Sequence, residues 1–300
     1  MSKKNIALVL SGGGSKGLAQ IGVINELLKH DFNITSVAGT SIGSIMGGLL
    51  AMNKLDEYTE WVKTLNQKKV WGLLDFTLST AGLFKGEKVF QKMKSFIPDI
   101  AIENMNFPFA AVATDVLNEK DVVFTSGSFY AAIRASISIP TIFTPVKHED
   151  SFLVDGGVSN PVPIEHIQRQ KDDILVVVSL YGERMHPPKQ KKQSDNPKHS
   201  SKNILGLNLD GMIRHLSQLR NTADKNSLGY VSLLNSVSSI MVHRLSHEII
   251  KNHQPDILIE IPMDAAGTFD FQKADELIEM GEKIGKQAIE EYLKKITSNE

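Results

Sequence analysis

Ser41 stands at the centre of Gly39-Thr40-Ser41-Ile42-Gly43, a G-x-S-x-G pentapeptide between an apolar run and a glycine-rich helical stretch. A nucleophile elbow needs that context. Small neighbours let the backbone turn sharply, and the serine Oγ then projects at a helix N-terminus, where developing negative charge is favoured. A serine N-cap in a tight turn gives the same local pattern. Upstream, Ser11-Gly12-Gly13-Gly14-Ser15-Lys16-Gly17 joins another apolar run to a helix and offers backbone N–H groups to an anion. Gly12, Gly14 and Gly17 fit the G-x-G-x-x-G of dinucleotide sites. That fold also wants an acid at the end of the second strand to hold the ribose, and here the strand ends in GTSIGS. A phosphate loop of the Walker type fails too, because Lys16 precedes the last glycine and no Ser or Thr follows it.

A third group, Asp155-Gly156-Gly157, follows the apolar run Phe152–Val154. An aspartate ending a parallel strand points into the crevice where α/β folds place their sites. A turn aspartate bonding its own backbone is the plainer reading. Asp115 lies near another strand end and is a weaker competitor for the same role. A nucleophilic serine needs a base, usually histidine. The nine histidines, at 30, 148, 166, 186, 199, 215, 243, 247 and 253, include none at a clear strand end with turn residues. His243 and His247 have i, i+4 spacing but lack the H-E-x-x-H glutamate, and read as a polar helix face.

The elements that must position these groups alternate. Ile6–Leu10 reads as a strand buried on both faces, and Leu18, Ile21, Ile24, Leu27 and Leu28 recur at helical spacing up to His30. Thr35–Thr40 is a second strand, and Ile42–Met52 a buried helix. This β-loop-α-β-turn-α order predicts a parallel sheet with right-handed crossovers. Leu55–Leu65 reads as helix, and 70–86 as an apolar loop or lid without a clean period. Strands are expected at Phe107–Val116, Asp121–Thr125, Phe152–Val154, Ile174–Leu180 and Asp256–Ile261, with a short helix over Phe129–Ser136. Pro140 and Pro145 bracket an ordered loop. Residues 183–203, rich in proline and lysine, read as a mobile surface insertion, and 204–252 as helical. A closing strand and helix occupy 256–295. The expectation is one domain over 1–300, with the motifs within 5–180.

Composition narrows the function classes. A net charge of −1 gives no basic field for nucleic acid, and the lack of cysteine removes disulfides, thiolate metal sites and cysteine nucleophiles. No run of about 18 apolar residues marks a membrane span, and the apolar run ending at Leu10 is too short for a signal peptide.

Taken in order, the glycine loop, the serine elbow and Asp-Gly-Gly resemble the patatin-like phospholipase family. SGGGSKG is similar to its G-G-G-x-R/K-G element, GTSIGS to its G-x-S-x-G elbow and DGG to its D-G-G/A element. RASISIPTIFTPV, residues 134–146, is similar to its A-S-x-x-x-P segment. The resemblance implies a three-layer α/β/α fold with a mainly parallel sheet, and a Ser-Asp dyad without histidine. Ser41 would be the nucleophile and Asp155 the base. Backbone amides of Gly13 and Gly14, with Gly12 and Ser15 beside them, would form the oxyanion hole. Lys16 would fix the loop, and Gly17, Gly39, Gly43, Gly156 and Gly157 would support the turns. The implied activity is hydrolysis of acyl esters such as phospholipids, lysophospholipids or simpler lipids, with no cofactor or metal. A cytoplasmic site of action, with transient contact at a membrane surface, is part of that expectation. The alternatives are an acyltransferase on a related fold and a regulatory protein with little turnover. The apolar residues of 70–84 would line an acyl pocket, touch a bilayer or join the core, and core is the favoured reading.

Overall fold

The continuous apolar runs become central strands because helices cover the sheet on both faces. The computed structural model describes residues 4–77, 82–186 and 230–298. The strands are β1 (Lys4–Leu10), β2 (Phe32–Thr40), β3 (Gly82–Phe84), β4 (Phe109–Asp115), β5 (Lys120–Phe124), β6 (Thr141–Phe143), β7 (Val146–His148), β8 (Ser151–Asp155), β9 (Ile174–Gly182) and β10 (Ile257–Pro262). The helices are α1 (Leu18–Lys29), α2 (Ile42–Ala51), α3 (Leu55–Lys63), α4 (Gln67–Gly72), α5 (Glu87–Lys94), α6 (Phe129–Ser136), α7 (Tyr230–His253) and α8 (Ala274–Thr297). Contacts divide the chain into one unit of 1–185 with 242–300 and another of 186–241. Most of the insertion expected at 183–203, and the stretch 204–229, lie outside the described residues.

Strands β10, β9, β1, β2 and β4 pair in that order, all parallel. Alternate residues of each strand face opposite layers. Ile6, Leu8, Leu10, Val176 and Val178 join one cluster with α1, α2 and α8, while Val9, Leu175 and Val177 join another with Val162 and Ile164. Ile249 and Ile250 of α7 pack on that second cluster. Each fully buried Ile, Leu or Val contributes roughly 1.5–3 kcal/mol. Two-sided burial explains why the strands read as solid apolar runs rather than alternating ones.

The far side of the sheet corrects one expectation. Asp155 does not end a parallel strand, because β8 runs antiparallel to β4. Strand β5 also pairs antiparallel with β4, over Ala111–Asp115. A strand residue has one neighbour on each edge, so β2 and β8 must share the edge of β4 that β5 leaves free. Thr40 of β2 sits opposite Val112, and Asp155 of β8 sits opposite Ala113. The two strands therefore meet end to end, and their last residues converge. Two further differences are local. Residues 70–86 are not one loop: α4 ends at Gly72 and β3 pairs with β6, which occupies the segment between Pro140 and Pro145. Helix α5, with Phe90 and Met93 buried, follows directly, and its short span hid it among glycine and lysine. No described helix is long and apolar enough to cross a membrane.

Candidate active site

Ser41 lies between β2 and α2 with φ 54° and ψ −124°, a left-handed conformation that a non-glycine residue adopts only when its surroundings enforce it. The surroundings do so. Its amide donates to Ser136 Oγ at 2.8 Å, and Ser136 donates in turn to the carbonyl of Val112 at 2.6 Å. A Cβ on Gly39 would come within 2.3 Å of the Gly43 carbonyl, and one on Gly43 within 2.1 Å of the Leu10 carbonyl. Only glycine lets the elbow fold this tightly against β1.

Ser41 Oγ donates a 2.5 Å hydrogen bond to Asp155 Oδ2. The other carboxylate oxygen accepts from the Gly157 amide at 2.7 Å, which fixes its orientation. The Asp155 amide is itself tied to the Ser138 carbonyl at 2.9 Å. Burial pushes the Asp155 carboxyl up to about 6, with the Ser41 and Gly157 hydrogen bonds opposing that rise. Asp115 has a different task. It accepts from the amides of Leu117 and Asn118, and its carboxyl is held well below the usual range by Ser151 first and then by Asn118. It caps the β4–β5 turn, and Asp155 alone faces the serine.

No histidine among the described residues bonds to Ser41 or Asp155. His166 spends Nε2 on Asp121 at 2.7 Å. Asp121 also holds Ser159 Oγ at 2.5 Å and Asn160 Nδ2 at 2.9 Å, which braces the turn after Asp155 from behind. His199 and His215 lie outside the described residues.

The glycine loop runs beside the elbow, and its amides are not equivalent. The Gly12 amide donates to Pro161 at 3.1 Å, and the Ser15 amide to Thr268 at 3.0 Å. Neither remains for an oxyanion, so both drop out of the expected donor set. Gly13 and Gly14 keep unpartnered amides among the described residues, on the half-exposed part of an otherwise buried loop. Gly14 has φ 63°, which glycine adopts without strain. The Ile42 amide, first in α2, is unbonded too and adds the helix N-terminus to the site. Lys16 Nζ donates to the carbonyls of Leu180 at 2.6 Å and Met263 at 3.3 Å, pinning the loop to the ends of β9 and β10. Ser11 Oγ, accepting from the Leu180 amide at 2.9 Å, pins its other end.

One side of Ser41 opens into a cavity of about 890 Å³, including its mouth. Ile42, Ile45, Trp61, Val70, Leu73 and Phe90 are among its lining residues. The segment favoured as core is thus split: Val70, Leu73 and Leu74 line the cavity, Phe84 is buried as core, and Trp71, Phe76 and Leu83 are exposed. Leu78 lies outside the described residues.

This order of elements can be compared with known proteins. The sequence profile described as patatin-like phospholipase matches residues 8–167, more than half of the chain. The chain belongs to the patatin-like phospholipase family. Among its relatives, an NTE family protein of Mycobacterium tuberculosis is 29% identical over 97% of this chain and 93% of its own length. Lysophospholipase nte1 of Aspergillus niger is 26% identical over 96% of this chain, a region that makes up 18% of that larger protein. Patatin-like phospholipase domain-containing protein 7 of Mus musculus is 25% identical, over 96% of this chain and 21% of its own. Of solved structures, VipD from Legionella pneumophila aligns with a TM-score of 0.47 at 13% identity, covering 97% of this chain and 67% of that one. Membership accords with the mostly parallel sheet flanked by helices. Two residues of the site escape sequence reasoning. The Ile42 amide carries no side-chain signal. Ser136 lies within the segment 134–146, but its partner is 95 residues away and no local pattern announces the bond.

Proposed function

We propose that this protein is a serine acyl-ester hydrolase for lipid substrates, working through a Ser41–Asp155 dyad. The observation that carries the reading is the 2.5 Å hydrogen bond from Ser41 Oγ to Asp155, made at the head of an apolar cavity. The carboxylate accepts the serine proton while Oγ attacks the ester carbonyl. The tetrahedral oxyanion forms against the free amides of Gly13 and Gly14. Loss of one such donor typically costs ~3–4 kcal/mol of transition-state stabilisation, so two backbone groups weigh as much as a side chain. The alcohol departs with the proton from Asp155. Water, activated by the same carboxylate, then releases the acid from Ser41. The apolar walls of the cavity suit a fatty-acyl chain. The name of the fungal relative, a lysophospholipase, supports a lipid ester as substrate.

A fluorophosphonate probe tests the assignment. It is expected to label the wild type and to leave Ser41→Ala unlabelled. Asp155→Asn should label at a small fraction of the wild-type rate, while His166→Ala and His148→Ala label normally. Labelling of the alanine variant, or loss of labelling in a histidine variant with Asp155→Asn unaffected, would remove the dyad.

A further inference from the structure

Tyr181, near the end of β9, has no part in the chemistry so far. Its hydroxyl has no hydrogen-bond partner among the described residues, although its main-chain amide is bonded to Ser179. Its position is given by Gly12. A Cβ placed on Gly12 would lie 3.3 Å from Ser41 Cβ and 3.5 Å from Tyr181 Oη. The phenol oxygen and the Ser41 side chain therefore both border the bare backbone of Gly12. The Lys16 ammonium sits over the ring face, 5.4 Å from its centroid. Burial, and then the nearby Asp155 charge, push the phenol well above its usual pKa. It stays protonated at any working pH and can act only as a donor or neutral acceptor.

The side of the ester it serves follows from the cavity. The cavity walls come from α2 to α5, from residues around β6 and from 268–271, and Tyr181 is not among them. With the acyl chain in the cavity and the carbonyl oxygen on Gly13 and Gly14, the group left on the open side is the alcohol.

We propose that Tyr181 Oη donates a hydrogen bond to the leaving-group oxygen of the ester attacked by Ser41, as a third catalytic residue. In the acylation step the Ser41 Oγ–carbon bond forms and the carbon–alkoxy oxygen bond breaks. Asp155 returns to that oxygen the proton it took from Ser41. Tyr181 keeps its own proton and stabilises the charge that builds on the departing oxygen before the transfer is complete. This inference rests on the Ser41–Asp155 reading.

The help matters most where the leaving alcohol is poor. Ethyl and p-nitrophenyl esters of one fatty acid are therefore to be compared by kcat/KM, which reports steps through acylation. Tyr181→Phe is expected to lose roughly tenfold to a hundredfold on the ethyl ester and no more than about threefold on the p-nitrophenyl ester. Equal losses on both esters, or none on the ethyl ester, overturn the proposal. The ratio of the two rates in one sample does not depend on how much of the variant is folded, so a less stable protein still separates the outcomes. Ser41→Ala is run in parallel. Turnover by that variant removes the dyad reading whatever Tyr181→Phe does, so the two failures are distinguishable.

Discussion

Asp155 is the residue on which chemistry and stability conflict. Its carboxyl is raised from 3.8 to about 6, chiefly by burial. A base must be unprotonated to work. With Asp155 as the proposed base, kcat/KM for ester hydrolysis should therefore rise about tenfold per pH unit below 6 and level off above it. The sign for stability is opposite. The folded state binds this proton more tightly than the unfolded chain, so ionising Asp155 opposes folding. That cost is absent below pH 4, grows as pH rises through 6 and is complete above it. Asp155→Asn should abolish turnover and yet resist urea better at pH 8, by on the order of 1–3 kcal/mol, with the gain shrinking towards pH 4. Urea unfolding of both proteins at the two pH values checks this, and a less stable Asn variant at pH 8 would contradict it. Ser41 and Asp155 could be picked from sequence because each carries its own turn residues. Tyr181, Ser136 and Ser11 could not, since their parts depend on neighbours 95 to 169 residues away.

At the scale of elements, the loop 11–17 works because it is locked everywhere except at two amides. Ser15 Oγ donates to Gly267 at 2.7 Å, Gln20 Nε2 holds the Ser11 carbonyl at 2.9 Å, and Lys16 spans to two strand ends. Lys16 is held at a cost. Burial, with Arg184 adding and Asp264 opposing, lowers its ammonium to about 8, so its charge is disfavoured in the fold. Lys16→Met leaves two carbonyls without their donor but also removes a buried charge. These effects offset, and the unfolding free energy should change by less than about 1 kcal/mol. Activity has no such compensation. With the loop untied, kcat should fall by at least about tenfold while KM moves little. Thermal unfolding and steady-state kinetics on one preparation separate the two, and a wild-type kcat would show that the loop needs no tether. Helix α1, which follows this loop, was legible from its 3.6-residue period. The direction of β8 was not. Val146–Lys147–His148 and Ser151–Phe152–Leu153 form a hairpin over Glu149 and Asp150, a turn with no Asn-Gly or Asp-Gly to announce it.

For the whole molecule, strand order brings the parts together. β1 and β2 are adjacent at the centre of the parallel sheet, so the glycine loop and the serine elbow, which follow them, end side by side. The cavity beside Ser41 is assembled from farther apart: α2 contributes Ile45, α4 Val70, α5 Phe90, and Phe269 and Phe271 come from just before α8. Nothing local marks such a cavity. The described residues of 70–84 lack a period because their apolar side chains divide among its wall, the core at Phe84 and the solvent. Ile45 lies one helical turn from Ser41 on the same face of α2, and it lines the cavity there. Ile45→Trp adds bulk there, and overpacking of a formed pocket is resisted by its neighbours. Each displaced methylene of the substrate forfeits about 1–3 kcal/mol, so the rate ratio of palmitoyl to butyryl ester should fall at least about tenfold. The butyryl rate is expected to survive, because Ser41, Asp155 and the loop amides are untouched. A palmitoyl-to-butyryl ratio equal to that of the wild type would mean that the acyl chain does not enter this cavity, and its occupant would then have to be sought on the open side of the serine, next to Tyr181.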